Sequence, residues 1–215
     1  SPILIDACKT SWQMDSNLLE EFLEKSCYIK NGSCFYKKDN RRIFGVLLVH
    51  ILGYSSNISK IKKLCLKYKI HLVEDAAEAL GGKYKKKFLG TIGTIGCYSF
   101  NGNKTITTGA GGMLVTNKKY LANVARHLSQ QARVQSKEFI HDQIGYNYRM
   151  SNIHAALGVA QLEKIQYILK KKKQIAAYYY KKLSKEHLIS FSEYDIETTN
   201  SYWLNTVRLK LDKSK

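Results

Sequence analysis

The chain has almost no proline: one, Pro2, in 215 residues. Nothing in it reads as a polyproline spacer or a collagen-like repeat. Arginine is scarce too, six residues against 29 lysines, and 17 acidic residues face 35 basic ones. Arginine is the side chain that reads phosphates and base edges with a rigid fork. Its scarcity argues against nucleic-acid recognition despite a formal charge of +18. The charge is read as a lysine-rich, solvated surface whose positive field attracts a small anionic substrate. A basic nucleic-acid-binding module stays as the alternative. No apolar run approaches the roughly 20 residues of a membrane-spanning helix, so no membrane partner is expected. The five cysteines (Cys8, Cys27, Cys34, Cys65 and Cys97) include no C-x-x-C pair and no histidine at ligand spacing. That argues against a metal site and for reduced thiols in the cytoplasm.

Residues 1–6 carry no basic stretch followed by an apolar core, so they do not read as a signal peptide. They begin without Met and in mid-strand character. The chain is expected to be an internal piece of a longer protein.

What is present suffices for a core: 44% hydrophobic and 11% aromatic residues. The pattern alternates helix and strand. A short amphipathic helix is expected over 14–23, with Asp15 or Ser16 as cap. A polar, turn-rich loop follows over 31–42. The continuous apolar run 43–52 reads as a strand buried on both faces. A helix over 59–68 presents Ile61, Leu64 and Tyr68 on one side. Strands are expected at 70–73, 95–100 and 112–116. Asn117 opens a helix carrying Leu121, Val124, Ala125 and Leu128. A polar loop spans 129–150, and Ser151 caps a long helix reaching about 183. The alternation at 207–211 reads as a half-exposed strand beginning a second unit. Helices interleaved with strands imply an α/β fold, a mostly parallel sheet flanked by helices.

Ligands in open α/β sheets bind at the carboxyl ends of strands. Asp75 lies just past the strand ending at Val73, Ser99 at the end of the strand 95–100, and Lys104 in the following loop. All three converge on one crevice in this reading. A lysine amine is a cation at neutral pH, so it acts as a nucleophile only when shielded or already held as an imine. The glycines at 102, 109, 111 and 112 let a cofactor come close. A carboxylate opposite keeps a pyridine nitrogen protonated, and a protonated ring draws electrons from a neighbouring carbanion. That pair is what pyridoxal 5'-phosphate needs from a protein. Glu74, beside Asp75, points the opposite way along a strand. Glu78, three residues on, is a candidate contact to the ring hydroxyl. Two glycine-rich stretches are rejected as nucleotide motifs. Asn103 stands where a P-loop needs glycine before Lys104, and Gly109-Ala-Gly-Gly112 lacks the dinucleotide spacing. Residues 90–96 read as a turn feeding a strand.

Four segments carry a resemblance. They are Val73-Glu-Asp-Ala-Ala-Glu-Ala-Leu-Gly81, Tyr98-Ser-Phe-Asn-Gly-Asn-Lys104, Thr107-Thr-Gly-Ala-Gly-Gly-Met113 and Gly145-Tyr-Asn-Tyr-Arg-Met-Ser-Asn-Ile-His-Ala-Ala156. In order and spacing they resemble the DegT/DnrJ/EryC1/StrS sugar-nucleotide aminotransferases, and the similarity covers nearly the whole chain. Val49-His-Ile-Leu-Gly53, Phe100-Asn-Gly-Asn103 and His141-Asp-Gln-Ile144 resemble the branch that aminates the 4-keto group of UDP-linked 6-deoxy-hexoses toward legionaminic-type sugars. The resemblance implies a fold type I pyridoxal phosphate-dependent transferase, here truncated at both ends. It places 1–170 in the large cofactor-binding domain and 171–215 at the end of a connecting helix and the start of a small carboxyl-terminal domain. It makes Lys104 the Schiff-base lysine, Asp75 the pyridinium partner and Ser99 a phosphate-binding hydroxyl. Glu78 faces the ring hydroxyl where many members have glutamine. Asn147 reaches the phosphate from the neighbouring subunit of a homodimer. The implied partners are a sugar-nucleotide substrate and an amino-acid donor, glutamate. Relatives with histidine for the lysine are dehydratases, so the lysine here favours aminotransfer over that chemistry; a catalytically inactive homologue is the remaining alternative. Arg133, His141 and Arg149 are candidate substrate contacts. The isolated chain is expected to hold cofactor weakly or not at all.

Overall fold

A computed structural model describes residues 1–134, 138–192 and 196–210. Asp15 starts α1 (Ser16–Ser26) by accepting hydrogen bonds from the amides of Asn17 and Leu18, the usual use of an aspartate N-cap. The helix buries Leu19 and Leu23. A three-stranded antiparallel ribbon follows: β1 (Cys27–Lys30), β2 (Ser33–Tyr36) and β3 (Arg42–Ile43). Much of 31–42 is therefore strand and hairpin, not the loop expected. The signal was Asn31-Gly32, both at positive φ (50° and 72°), the pair a two-residue hairpin turn demands.

The central sheet runs in the order β4 (Gly45–Val49), β5 (His71–Asp75), β8 (Ile95–Ser99) and β9 (Gly112–Val115). The first three strands are parallel and β9 is antiparallel to β8, so the mostly parallel sheet is present. After a 3-10 turn at Ile51–Gly53, α2 (Ile58–Lys67) connects β4 to β5 and buries Ile58, Ile61, Leu64 and Cys65. Between β5 and β8 lies a small hairpin, β6 (Lys83–Tyr84) and β7 (Lys87–Phe88). Its turn residues, Lys85 and Lys86, both stand at positive φ.

The β4 run is not buried on both faces. Val46 and Leu48 are buried, whereas Leu47 is 58% and Val49 37% exposed. Val46 and Leu48 join the core cluster of α1 and α2. Leu47 and Val49 face an open apolar cleft whose far wall is the extended amino-terminal stretch, including Ile3 and Leu4.

Along the rest of the chain, α3 (Lys119–Ser129) starts two residues later than Asn117. Ser151 caps α4 (Asn152–Leu162) as expected, but the long helix is broken, and α5 (Ile165–Leu183) begins after Lys164 leaves helical geometry. The apolar residues of α4 are not covered: Ile153 is 83% exposed and Leu157 48%. The segment 129–150, described except for 135–137, holds isolated bridges between Gln130 and Asn147 and between Arg133 and His141. Of the expected tail strand, Arg208–Leu209 (β12) pairs antiparallel with Ile189–Ser190 (β10), and Leu211 lies outside the described residues. Thr198–Thr199 (β11) returns to pair with β6.

One buried carboxylate ties the strand ends together. Glu74 is fully buried. Its Oε2 accepts from the Gly90 amide at 2.7 Å and lies 2.9 Å from His50 Nε2. Its Oε1 accepts from the amides of Ile92 (2.6 Å) and Gly93 (2.5 Å). Burial works against the charge, but His50 and the backbone amides outweigh it and hold the carboxyl below its usual range. The tip of β4, β5 and the turn feeding β8 are thus pinned to one side chain. Gly96 is required by the same turn, since a Cβ there would stand 1.8 Å from the Gly90 carbonyl oxygen.

Glu74→Gln keeps the shape but turns an acceptor into a donor among donors. We expect it to destabilise the fold on the order of 3 kcal/mol, read as a lower urea midpoint. Because the folded-state pKa is depressed, Glu74's contribution is complete above its ordinary value of 4.5 and is lost as pH falls through the lowered value. The variant's stability profile should lack that part of the acid limb.

Candidate active site

The pleat of β5 sorts its two carboxylates. Register pairs Val49 with Asp75 and Asp75 with Cys97, while Leu48 pairs with Glu74 and Glu74 with Gly96. Asp75 therefore shares a face with Val49, Cys97 and, two residues further along β8, Ser99. Glu74 is on the opposite, core face. Asp75 ends β5 rather than following it, and its Oδ1 accepts from the Ala77 amide at 3.0 Å. Burial raises the Cys97 thiol, and the negative charge of Asp75 raises it further. On the core side, burial and then the Glu74 charge push the Tyr98 hydroxyl up to about 12, and it donates to the Leu89 carbonyl at 2.5 Å.

Beyond Asp75 the chain turns, and Glu78 comes back over the strand ends. Glu78 Oε2 accepts from the Leu52 amide at 2.7 Å. Its Oε1 lies 3.8 Å from Lys104 Nζ. The lysine side chain is 15% exposed, and its nitrogen also stands 4.1 Å from the centre of the Trp203 ring. Half of the Glu78 carboxylate is thus engaged with backbone, and the other half faces the lysine.

The loop that carries Lys104 is built in layers. The Ser99 Oγ accepts from the Asn101 amide at 3.3 Å, and Asn101 Oδ1 accepts from Gly102 at 2.8 Å. The Lys104 amide donates to the Asn101 carbonyl at 3.1 Å. On the far side, Gln161 of α4 closes a two-point clamp on Thr107. Its Oε1 accepts from the Thr107 amide at 3.1 Å, and its Nε2 donates to the Thr107 carbonyl at 2.5 Å. A Cβ at Gly102 or Gly109 would meet nothing within 4 Å, so open space borders the loop on both sides of Lys104.

The structure thus puts Asp75 and Ser99 on one face of the sheet at its strand ends and sets Lys104 Nζ 3.8 Å from Glu78. Asn147 is not among them: it is exposed, and its backbone bridges Gln130. The substrate-contact candidates have local partners. Arg133 lies 4.1 Å from the Phe139 ring centre, and His141 Nδ1 lies 2.7 Å from the Gln131 carbonyl. Arg149 is exposed. A cavity of about 720 Å³ is the amino-terminal cleft under Leu47 and Val49, and its walls contain none of the five candidate residues. Its apolar lining offers no acid–base pair, so the strand-end cluster, with its charged groups, is the better candidate.

Three participants escaped the sequence reading. Gln161 and Trp203 act across 54 and 100 residues of chain, beyond any local pattern. The Leu52 amide is presented by a 3-10 turn in which Leu52 sits at φ 58°, and only Gly53 next to it hinted at such a turn.

The fold recurs in solved structures. One such structure, an Escherichia coli GDP-4-keto-6-deoxy-D-mannose-3-dehydratase with bound hydrated PLP, superposes with a TM-score of 0.81 at 21% identity, covering 98% of this chain and 54% of that one. The chain belongs to the DegT/DnrJ/EryC1/StrS aminotransferase family, whose profile matches residues 1–215. It is 35% identical over 207 residues to a GDP-perosamine synthase of Escherichia coli O157:H7, covering 96% of this chain and 52% of that protein. It is 36% identical over 155 residues to a UDP-4-amino-4,6-dideoxy-N-acetyl-beta-L-altrosamine transaminase of Campylobacter jejuni, covering 71% and 41% respectively. The chain spans about half the length, or less, of the curated relatives it matches. Among the described residues no helix is long and apolar enough to cross a membrane.

Gln161→Ala should release the Thr107 clamp. We expect a loss of about 1–3 kcal/mol and faster amide hydrogen exchange at Thr107, with exchange in α2 unchanged.

Proposed function

We propose that the protein containing this chain is a pyridoxal phosphate-dependent aminotransferase that moves an amino group from an amino acid, glutamate, to a keto sugar nucleotide. The observation that carries this reading is a shielded lysine amine set within 4 Å of a carboxylate, at the ends of strands whose open face also carries Asp75 and Ser99. The names of the two relatives carry GDP and UDP sugars, which supports the substrate class. The finer choice is the 4-keto group of a UDP-linked 6-deoxy-hexose, in surface-polysaccharide or nonulosonic-acid synthesis. The protein works in the cytoplasm as a homodimer, and the uncovered apolar residues of α4 supply a face for a second subunit. Asn147 then serves the neighbour's site. Residues 1–170 belong to the large domain and 171–215 lead into the small one.

The residues present fit pyridoxal phosphate. Lys104 would hold it covalently, Asp75 would face its ring nitrogen, Ser99 would donate to its phosphate, and the space beside Gly102 and Gly109 leaves room for it. When bound, the cofactor supplies an aldehyde for amine exchange and a ring that takes up an electron pair from a carbon next to nitrogen. Asp75, with the Ala77 amide on one oxygen, would face the ring nitrogen and favour its protonated form. Lys104 would be the base of the reaction, its Nζ taking a proton from the donor carbon in the first half-reaction and returning it in the second. Glu78 Oε1 stands 3.8 Å from the amine, and the bond of its other oxygen to the Leu52 amide fixes its direction.

Borohydride reduction of the full-length protein with pyridoxal phosphate should leave a pyridoxyl group on Lys104 by peptide mapping. Lys104→Arg should take no label and lose at least about 10³-fold in kcat, the scale of deleting a proton-transferring group. Glutamate with UDP- and GDP-linked 4-keto-6-deoxy-hexoses tests the substrate. No label in the wild type, together with salt-dependent DNA retention, would replace this reading with the nucleic-acid module.

A further inference from the structure

The segment after β11 crosses back over the strand ends and is fastened through Ser201 and Trp203. Asn200 and Ser201 are 7% and 1% exposed. Ser201 Oγ donates to the Glu78 carbonyl at 3.0 Å. Asn200 Oδ1 accepts from the Tyr202 amide at 2.7 Å. Both side chains press on Gly53, where a Cβ would stand 2.2 Å from Ser201 Oγ and 2.6 Å from Asn200 Oδ1. Trp203 is then held at both ends. Its carbonyl accepts from Lys172 Nζ at 3.2 Å, and its indole N–H donates to the Asn103 carbonyl at 2.8 Å. Lys172 is buried enough for desolvation to lower its pKa.

The result is an indole ring bonded to the residue preceding Lys104, with its face turned to the Lys104 amine at 4.1 Å. The other neighbour of that amine, Glu78 Oε1, is at 3.8 Å, beyond hydrogen-bond distance. A carboxylate hydrogen bond would fix the amine in one direction. A ring face attracts an ammonium broadly and lets it go without breaking a directional bond.

We propose that Trp203 is a positioning residue for Lys104: its indole face is the seat the lysine amine occupies when it is not bonded to cofactor. This rests on the aminotransferase reading, in which the amine is released and recaptured in every turnover. The seat keeps the freed amine beside the reacting carbons instead of in solvent. Its specificity comes from the Asn103 bond, which moves the ring and the lysine backbone as one body.

The test exploits the ring quadrupole, which fluorine weakens with little change of shape. Tryptophans carrying one, two and three ring fluorines are placed at position 203 of the full-length, cofactor-free protein. Lys104 is labelled competitively with trace acetic anhydride and quantified by peptide mass spectrometry. Only the unprotonated amine reacts, so weakening the seat should raise the Lys104 labelling rate stepwise, by about fivefold across the series, with other lysines unchanged. A flat series overturns the proposal. Trp203→Phe and Trp203→Met, close in bulk, give a second readout: Met labelling faster than Phe supports an attracting face, and equal rates show plain steric cover and overturn it. The series does not depend on cofactor. A failure of pyridoxal phosphate to attach at Lys104 in the unmodified protein therefore strikes the aminotransferase reading separately.

Discussion

Two adjacent carboxylates on one strand, pointing opposite ways, set up everything at the strand ends. Glu74 enters the core and takes three backbone amides and a histidine. Burying a carboxylate is costly unless its lone pairs are filled. Here they are filled by groups from two places in the chain, His50 and the turn at 90–93, so the charge orders the ends of β4 and β5 and the turn feeding β8 relative to one another. Asp75, one residue on, inherits that placement on the open face. A one-residue slip of β5 would exchange the two and leave an unpaired charge in the core. The register that holds Asp75 in the site is enforced by what the slip would do to Glu74.

The lysine loop is held by contacts remote in sequence. Gln161 grips Thr107 from α4, and Trp203 and Ser201 grip Asn103 and Glu78 from beyond α5. None of these holds the Lys104 amine by a hydrogen bond. Backbone on both sides of the lysine is fixed while its side chain is left to electrostatic attraction. Under the proposed aminotransferase reading that division would suit a lysine released and recaptured: a fixed anchor supplies position, and a weakly tethered amine supplies movement.

Much of this was legible in the chain itself. The parallel strands, α2 and the capped starts at Asp15 and Ser151 follow from apolar period and cap chemistry. The shared face of Asp75 and Ser99 follows from their places at strand ends. The failures have physical reasons. The Asn31-Gly32 hairpin was hidden by polar neighbours, because an exposed ribbon needs little apolar alternation. Burial of β4 on both faces was inferred from a run of Val and Leu, but composition cannot say whether a second layer lies over a strand. The long helix 151–183 breaks at Lys164, where no glycine or proline marks it. Gln161 and Trp203 could not be read at all, because a tertiary clamp leaves no local period.

The +18 charge becomes less puzzling once the lysines are placed. Lys25, Lys67 and Lys85 sit half-exposed or more, each beside a glutamate. Such pairs contribute little to stability and leave a solvated, positive surface. Two lysines differ. Lys172 gives its amine to the Trp203 carbonyl and is desolvated in doing so. Lys104 keeps its amine uncommitted beside a ring and a carboxylate. The first serves the second, because it fixes the residue whose ring faces Lys104. Lys104 is set apart by its place at the strand ends between Trp203 and Glu78, which lysine content and spacing do not reveal.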